Sequence, residues 1–449
     1  MNSPLALTLL GLVIIGATVG VLLRGKTHPV VAMTLIPFAG ALLAGSGLAE
    51  ISEYYGAGLD RVINVVVMFI FAIIYFGILA DVGLFEPVIT ALIRATRGKI
   101  VLVTVGTAAI AVVAHLDGSG STTFLLTIPA LLPLYQALGM SRYVLLTIVA
   151  LSASVMNMVP WAGPVGRAAT VIDSTPNEIW QHLLPAQAIA LVSVLIVSAI
   201  LGVTERRRLA KTGVGSTTVD VHAIADDFAS AQRKERASLN LTPRAGTWTV
   251  WANAAITIAL IGVLVSGVVT PAPAFLVGTA ILLVINFPSL DAQSDILRRH
   301  APTALSMAGV ILAAAMFLGV LDGTGMLEQI ALSLISILPA AVGPYVHIII
   351  GLLGVPLDLA TSTDAYYFSL LPIVQSTAEA FGVSGMGAAA AMIIGNVIGT
   401  FVSPFSPALW LAIGLAGANM GKYIRFAFPI AWVFSGVLVL ASWAMGLLV

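Results

Sequence analysis

Two short polar stretches interrupt apolar sequence at matching places in the chain: His115-Leu-Asp-Gly-Ser-Gly-Ser-Thr-Thr123 and Pro356-Leu-Asp-Leu-Ala-Thr-Ser-Thr-Asp364. Each is a polar tip between two apolar arms, so the whole stretches are residues 100–138 and 345–381. Each arm is shorter than the roughly 20 residues that cross a bilayer. We therefore predict two re-entrant helical hairpins, because non-helical backbone at membrane depth is tolerated only where it lines protein or a water-filled cavity.

The composition predicts that most of the rest of the chain lies in lipid as well. Of 449 residues, 59% are hydrophobic and only 9% are charged, with a mean hydropathy of +1.05. A soluble domain is roughly 45–50% apolar and about 25% charged. The chain has no cysteines, which excludes disulfides and thiolate metal sites. The formal net charge is zero, and no nucleic-acid partner is expected.

Ten apolar runs are predicted to cross the membrane. In the first half they are Leu5–Leu23, Val30–Ala49, Val62–Ala80, Tyr143–Ile172 and Leu183–Val203. In the second half they are Val250–Val269, Ala274–Phe287, Thr303–Leu321, Gly387–Ala416 and Phe426–Val449. The predicted units are residues 1–203, a polar cytoplasmic linker at 204–247, and residues 248–449.

The basic residues predict the orientation, because they concentrate on the cytoplasmic side of membrane proteins. With ten crossings and both termini outside, Arg61 and Arg167 are the exceptions among the arginines and lysines. A bacterial inner membrane is the expected location. The linker, which contains Glu205-Arg-Arg-Arg208, is interpreted as a solvated connection between the halves.

The second half repeats the first in three ordered blocks. Phe76–Glu86 aligns with Leu318–Glu328, and Asp117–Thr123 aligns with Asp358–Asp364. Asn157 followed by Pro164 aligns with Asn396 followed by Pro404. An odd number of crossings separates the copies, so the fold class predicted is an all-α polytopic membrane protein with two inverted repeats of five transmembrane helices and one hairpin each. Such repeats are typical of secondary transporters.

The spans that follow the hairpins, at 143–172 and 387–416, are predicted to be broken helices because each contains closely spaced glycine and proline. A packing kink would account for one broken span, but paired kinks beside paired hairpins favour a site built from four interrupted elements. Helix N-termini and hydroxyl groups at the tips attract anions, and freed carbonyls can hold a cation. Helix capping explains some of the tip residues equally well. The candidate substrate-binding residues are Asp117, Gly118, Ser119, Gly120, Ser121, Thr122, Asn157, Arg167, Ser362, Thr363, Asp364, Asn396 and Ser403.

Ionisable groups at membrane depth are functional candidates because they are costly unless paired or hydrated. His115, Asp117, Asp358 and Asp364 are the candidates for proton coupling, and Asp117 and Asp364 for contact with a metal. His115 could instead be held by a hydrogen bond within its hairpin. Arg167 could bind a substrate carboxylate, or it could extend towards the outer surface.

At these tips the sequence resembles the citrate–metal:proton symporter family (CitMHS) of the ion transporter superfamily. The resemblance rests on His115–Phe124 running into Thr127-Ile-Pro-Ala-Leu-Leu-Pro133 and extends over both halves. It implies import of citrate complexed with a divalent metal of the Mg²⁺ or Ca²⁺ type, proton symport, a homodimer and an elevator mechanism, with no permanent cofactor. It also implies interfacial helices at Phe85–Thr96 and Leu327–Leu338. Sodium-coupled relatives carry Ser-Asn-Thr at both tips, whereas this chain carries Gly120-Ser-Thr122 and Thr361-Ser-Thr-Asp364, which puts sodium coupling in doubt.

The alternative within transporters is a proton- or sodium-coupled symporter of metal-free di- or tricarboxylates or sugar acids. A hydrolase with Ser119 or Ser121 as nucleophile and His115 as base is a poor fit, because a catalytic dyad has no use for a second tip and no histidine lies near Asp358 in sequence. The protein is therefore not expected to be an enzyme. An ion channel is a further alternative, and saturable accumulation against a gradient would exclude it.

Overall fold

The computed structural model describes residues 4–24, 26–212, 220–238, 247–337, 339, 341–360 and 363–449. Every regular element in these ranges is helical. In the first half the helices are α1 (Pro4–Arg24), α2 (Pro29–Ala44), α3 (Leu48–Asp81), α4 (Glu86–Ala95), α5 (Ile100–Ala114), α6 (Gly120–Ala137), α7 (Arg142–Met156), α8 (Gly163–Val171) and α9 (Pro176–Thr212). Helix α10 (Val221–Ser238) follows. The second half contains α11 (Thr247–Ser266), α12 (Pro271–Asn286), α13 (Leu290–Gly323), α14 (Met326–Ile337), α15 (Val346–Leu352), α16 (Gly354–Ala360), α17 (Thr363–Ala365), α18 (Leu371–Ala380), α19 (Gly385–Val397), α20 (Pro407–Ala416) and α21 (Met420–Ala444).

Within the described ranges, seven helices are long and apolar enough to cross a membrane, and the bent pair formed by Gly343–Leu352 and Gly354–Ala360 could supply an eighth. One of the seven, Ile100–Asp117, is the first arm of the first hairpin, which was predicted to be too short to cross, and the bent pair is the first arm of the second hairpin. The other six are predicted spans, and the remaining four predicted spans correspond to shorter apolar helices. Helices α2 and α12 have 16 residues each, and the spans predicted at 143–172 and 387–416 are interrupted, as α7 with α8 and α19 with α20. The chain is thus a multi-pass helical membrane protein.

Helices α3 and α13 pack together, and each has 34 residues and would measure about 51 Å. The predicted spans 62–80 and 303–321 were too short, because residues 48–61 and 290–302 continue the same helices rather than forming polar loops. Glycines permit their close approach. A Cβ on Gly58 would lie 2.1 Å from the Ala315 carbonyl oxygen, and one on Gly319 would lie 2.1 Å from that of Tyr54.

Ion pairs fasten the α3–α13 pair at both ends. Asp81, at the end of α3, lies 3.0 Å from both Arg299 and His300 of α13. Asp322, near the end of α13, pairs with Arg61 of α3 at 2.7 Å. Helix α2 packs on α13 and α12 packs on α3, so the long helices sit between helices of the opposite half.

The order of helices in the first half recurs in the second. Helices α1 to α4 have 21, 16, 34 and 10 residues, and α11 to α14 have 20, 16, 34 and 12. Helices α4 and α14 coincide within a residue or so with the two short interfacial helices expected from the family resemblance.

The segment expected to be a solvated linker contains regular structure. Helix α9 continues to Thr212, beyond the predicted end of its span at Val203, and α10 packs on α4 and α6. Arg94 and Asp226 lie 2.6 Å apart, and Glu86 of α4 pairs with both Arg233 and Arg236 of α10. Residues 213–219 and 239–246 lie outside the described residues.

An open cleft of about 380 Å³ is lined by residues of α14 and α18 and by residues near the end of α8. Its charged lining residues are Arg61, Asp173, Asp322, Glu328 and Glu379.

Candidate functional site

The first tip is a sharp, backbone-bonded turn between α5 and α6. Helix α5 passes into a 3-10 turn, His115–Asp117, and Gly118 follows in the left-handed region with φ +69°. Asp117 Oδ1 accepts a hydrogen bond from the Ser119 N–H at 2.8 Å. Ser119 is the N-cap of α6, and its Oγ accepts from the Thr122 N–H at 3.4 Å. The capping interpretation is therefore right for Ser119.

His115 joins this tip to the broken span that follows it. The side chain is fully buried; its Nε2 lies 2.9 Å from Asn157 Oδ1, and its Nδ1 lies 2.6 Å from the Thr123 hydroxyl. A neutral imidazole with the proton on Nε2 satisfies both nitrogens, because Asn157 accepts and Thr123 can donate. Trp161, in the break between α7 and α8, donates from Nε1 to the Leu116 carbonyl at 2.7 Å. The first tip is thus held by two residues of the break, Asn157 and Trp161.

The second tip lies between α16 and α17, and its residues Thr361 and Ser362 are outside the described residues. Asp358 of α16 is fully buried. Asn396, at the end of α19, donates from Nδ2 to Asp358 Oδ1 at 3.0 Å. Ser403, in the break between α19 and α20, donates to the Asp358 carbonyl at 2.5 Å. Among the described residues, Asp358 Oδ2 has no hydrogen-bond partner within 3.5 Å.

His115 and Asp358 have the same kind of partner in the two halves. His115 Nε2 lies 2.9 Å from Asn157 Oδ1, and Asp358 Oδ1 accepts a hydrogen bond from Asn396 Nδ2 at 3.0 Å. Each side chain is thus bonded to the asparagine of the broken span that follows its hairpin. The sequence alignment pairs Asp117, and not His115, with Asp358.

Each tip also contacts the broken span of the opposite half. Arg167 of α8 pairs with Asp364 of the second tip, with 2.7 Å between Nε and Oδ1. Phe401, in the break between α19 and α20, packs edge-on against His115 and Phe124 of the first tip. A Cβ on Gly120 would lie 2.4 Å from the Phe401 ring, so a larger residue there would displace it. Four interrupted elements therefore meet around the two tips.

Most of the candidate residues take part in this arrangement. Asp117, Ser119 and Thr122 bond within the first tip, and Asn157, Asn396 and Ser403 join the tips to the broken spans. Ser121 is exposed at the surface of the first tip. Arg167 does not extend towards the outer surface, because its side chain is only 12% exposed and is held by Asp364.

Sequence reasoning missed three contributors to the site: Thr123, Trp161 and Phe401. Thr123 belongs to the quoted tip and was overlooked because it lies one turn inside α6. The two aromatic residues stand in the breaks, where only the density of glycine and proline was considered. Among the described residues, no group of three or more histidine or acidic side chains is placed to hold a metal ion.

Two solved transporters share this architecture. The YdaH transporter of Alcanivorax borkumensis superposes with a TM-score of 0.59, covering 99% of this chain and 98% of its own, at 16% identity. MtrF of Neisseria gonorrhoeae, from a class of antimetabolite efflux pumps, gives a TM-score of 0.59 over 88% of this chain and 83% of its own, at 15% identity. The chain therefore has the fold of these two membrane proteins.

The particular family follows from sequence. The CitMHS citrate transporter model matches residues 12–395, and the chain belongs to that family. A citrate transporter of Bacillus subtilis (strain 168) is 32% identical over 98% of this chain and 99% of its own length. The Mg(2+)/citrate complex secondary transporter of the same organism is 33% identical over 98% of both chains. The family resemblance inferred from the first tip is confirmed, and the protein is a transporter and not an enzyme.

Proposed function

We propose that this protein imports citrate as a complex with a divalent metal ion and couples the import to protons. The observation that carries the proposal is the pair of tips, each tied to its broken span through a buried side chain, His115 or Asp358, that is bonded to an asparagine. The Arg167–Asp364 ion pair joins the second tip to the broken span of the first half. Such a site combines a cationic and an anionic group, as a substrate with both charges requires. The similar Bacillus subtilis protein named for the Mg(2+)/citrate complex supports this choice of substrate.

The residue roles follow from the geometry. The tip groups Asp117 to Thr122, with Thr363 and Asp364 and the donors Asn157, Arg167, Asn396 and Ser403, form the proposed substrate site. Asp117 and Asp364 are proposed to approach the metal. Asp358 and His115, both buried and bonded to asparagines, are proposed for proton coupling. Asp358 would hold the proton as a neutral carboxylic acid. His115 is satisfied as a neutral imidazole, and an imidazolium there would be a buried charge whose partners Asn157 and Thr123 are uncharged.

We infer further that the two halves are inverted repeats and that transport is an elevator movement. The recurring helix order and lengths support the repeat, and the ion-paired α3–α13 core suits a fixed scaffold. The hairpins and broken spans would move together, linked to the scaffold through α4 and α14. The open cleft lined by residues of α14 and α18 would give such a movement room. A homodimer in the bacterial inner membrane, with both termini outside, completes the proposal.

Charge sets a lower limit on the proton stoichiometry. A citrate trianion with one divalent cation carries a single negative charge. Its entry against a negative-inside potential is opposed by about 2.3 kcal/mol per charge per 100 mV. One proton neutralises the complex, and two or more let the membrane potential drive accumulation.

Uptake of radiolabelled citrate into proteoliposomes with an imposed proton gradient tests the proposal. We expect saturable accumulation that requires a divalent cation, stops when EDTA is added, and collapses with a protonophore. Accumulation that persists in EDTA would instead identify a metal-free carboxylate symporter. Accumulation that needs sodium and ignores the protonophore would refute proton coupling.

A further inference from the structure

The Arg167–Asp364 ion pair joins the two halves at the candidate site. Arg167 stands on α8 of the first half and Asp364 on the second arm of the second tip. Their side chains are 12% and 14% exposed, and 2.7 Å separates Nε from Oδ1. Removing either charge from such a pair leaves the other poorly solvated, which is strongly unfavourable in a low-dielectric interior.

A ligand that carries only carboxylates cannot bind at this pair without leaving one of its two charges unpaired. Its carboxylate can replace Asp364 on the Arg167 guanidinium, but Asp364 then loses its cation. A metal–citrate complex avoids this loss because it supplies a carboxylate to Arg167 and a divalent cation to Asp364. Mg²⁺ is usually held by one or two protein carboxylates and takes its other ligands from substrate and water, so a single aspartate suffices.

The other acidic residues of the tips are less suited to this task. Asp117 Oδ1 already accepts the Ser119 N–H, and Asp358 is bonded to Asn396 and fully buried. Asp364 is the tip carboxylate whose partner is a side chain with a full positive charge. An incoming metal ion can therefore take the place of that positive charge beside Asp364.

We propose that the Arg167–Asp364 pair selects the metal–citrate complex over free citrate by opening to receive both parts of the complex, the carboxylate on Arg167 and the metal on Asp364. The proposal rests on the proposed substrate and adds which residues recognise it. It assigns the requirement for metal to one ion pair rather than to a dedicated metal site.

The test is a ratio of affinities measured on the purified full-length protein. Binding of radiolabelled citrate is compared in excess Mg²⁺ and in EDTA. The wild-type protein should bind much more tightly in Mg²⁺. Asp364→Asn should reduce the ratio of the two affinities at least tenfold, because an amide neither requires a cation nor holds one well. The double variant Arg167→Gln/Asp364→Asn removes the pair without leaving an unpaired charge, and its ratio should fall similarly.

Asp81→Asn is the matched control. Asp81 is equally buried at 12% exposure and also pairs with an arginine, Arg299 at 3.0 Å, but it belongs to the α3–α13 core. Its affinity ratio should equal that of the wild type. Elution volume and thermal midpoint identify variants that fold.

Two results would separate the possible failures. If the wild-type protein binds citrate equally well in Mg²⁺ and in EDTA, the proposed substrate is wrong and the inference falls with it. If the wild-type protein prefers the complex but a folded Asp364→Asn or double variant keeps the wild-type ratio, the inference alone is overturned.

Discussion

Four ionisable side chains of the two tips are arranged in four different ways. His115 has a partner for each ring nitrogen, and Asp117 turns back to its own backbone. Asp364 holds Arg167. Asp358 is bonded through one oxygen, while the other has no partner within hydrogen-bonding distance among the described residues. A carboxyl oxygen in that position suits a proton, because a neutral acid costs far less to bury than a carboxylate.

Asp358→Asn should therefore separate binding from coupling. The amide keeps the size and the acceptor for Asn396 but carries no exchangeable charge. We expect the variant to bind substrate and to exchange labelled for unlabelled citrate across proteoliposomes, and to lose accumulation driven by a proton gradient. Asp173→Asn, in the loop after α8, is the control and should accumulate normally. Normal accumulation by the Asp358 variant would remove this residue from the proton pathway.

At the scale of elements, the second hairpin packs on its broken span through glycines. A Cβ on Gly395 of α19 would lie 2.0 Å from the Gly351 carbonyl oxygen, and one on Gly354 would lie 2.3 Å from the Gly395 carbonyl carbon. Close helix contact through small residues is a common device in membranes, where packing replaces the hydrophobic effect. This contact sets the spacing at which Asn396 reaches Asp358.

Gly395→Ala should spoil that spacing. The atoms in the way are backbone on both sides, so the helices must separate by an ångström or more, and the Asp358–Asn396 hydrogen bond should lengthen with them. We expect a lower thermal midpoint and at least tenfold weaker citrate binding. Gly414→Ala on α20 is the control, because nothing lies within 4 Å of its added Cβ. Equal binding by the two variants would contradict the proposed role of this contact.

The sequence predicted the elements of the site better than the bonds between them. Asp, Asn, Gly and Pro at membrane depth are rare enough to mark both tips and both breaks. The bonds between His115 and Asn157 and between Asp358 and Asn396 could not be predicted, because they depend on how each hairpin packs on the span that follows it. Contacts between the halves, such as Arg167 with Asp364, could not be predicted from the sequence because they depend on how two distant helices pack. The helical extensions before Val62 and Thr303 were missed because their polar residues resemble those of loops.

At the scale of the whole molecule, the predicted orientation can be tested with single cysteines, because the chain contains none of its own. His222 of α10 and Glu53 near the start of α3 are both exposed. In intact cells an impermeant thiol reagent should label Glu53→Cys and leave His222→Cys unlabelled until the membrane is opened. The opposite pattern would invert the whole topology.

The crossed contacts at the tips bear on how the protein is made. The first tip is covered by Phe401, and Arg167 finds its partner in Asp364, so both contacts wait for residues translated late. A chain truncated after the first half would leave Arg167 without Asp364 and the first tip without Phe401. The proposed substrate site is therefore complete only after the second broken span has been synthesised.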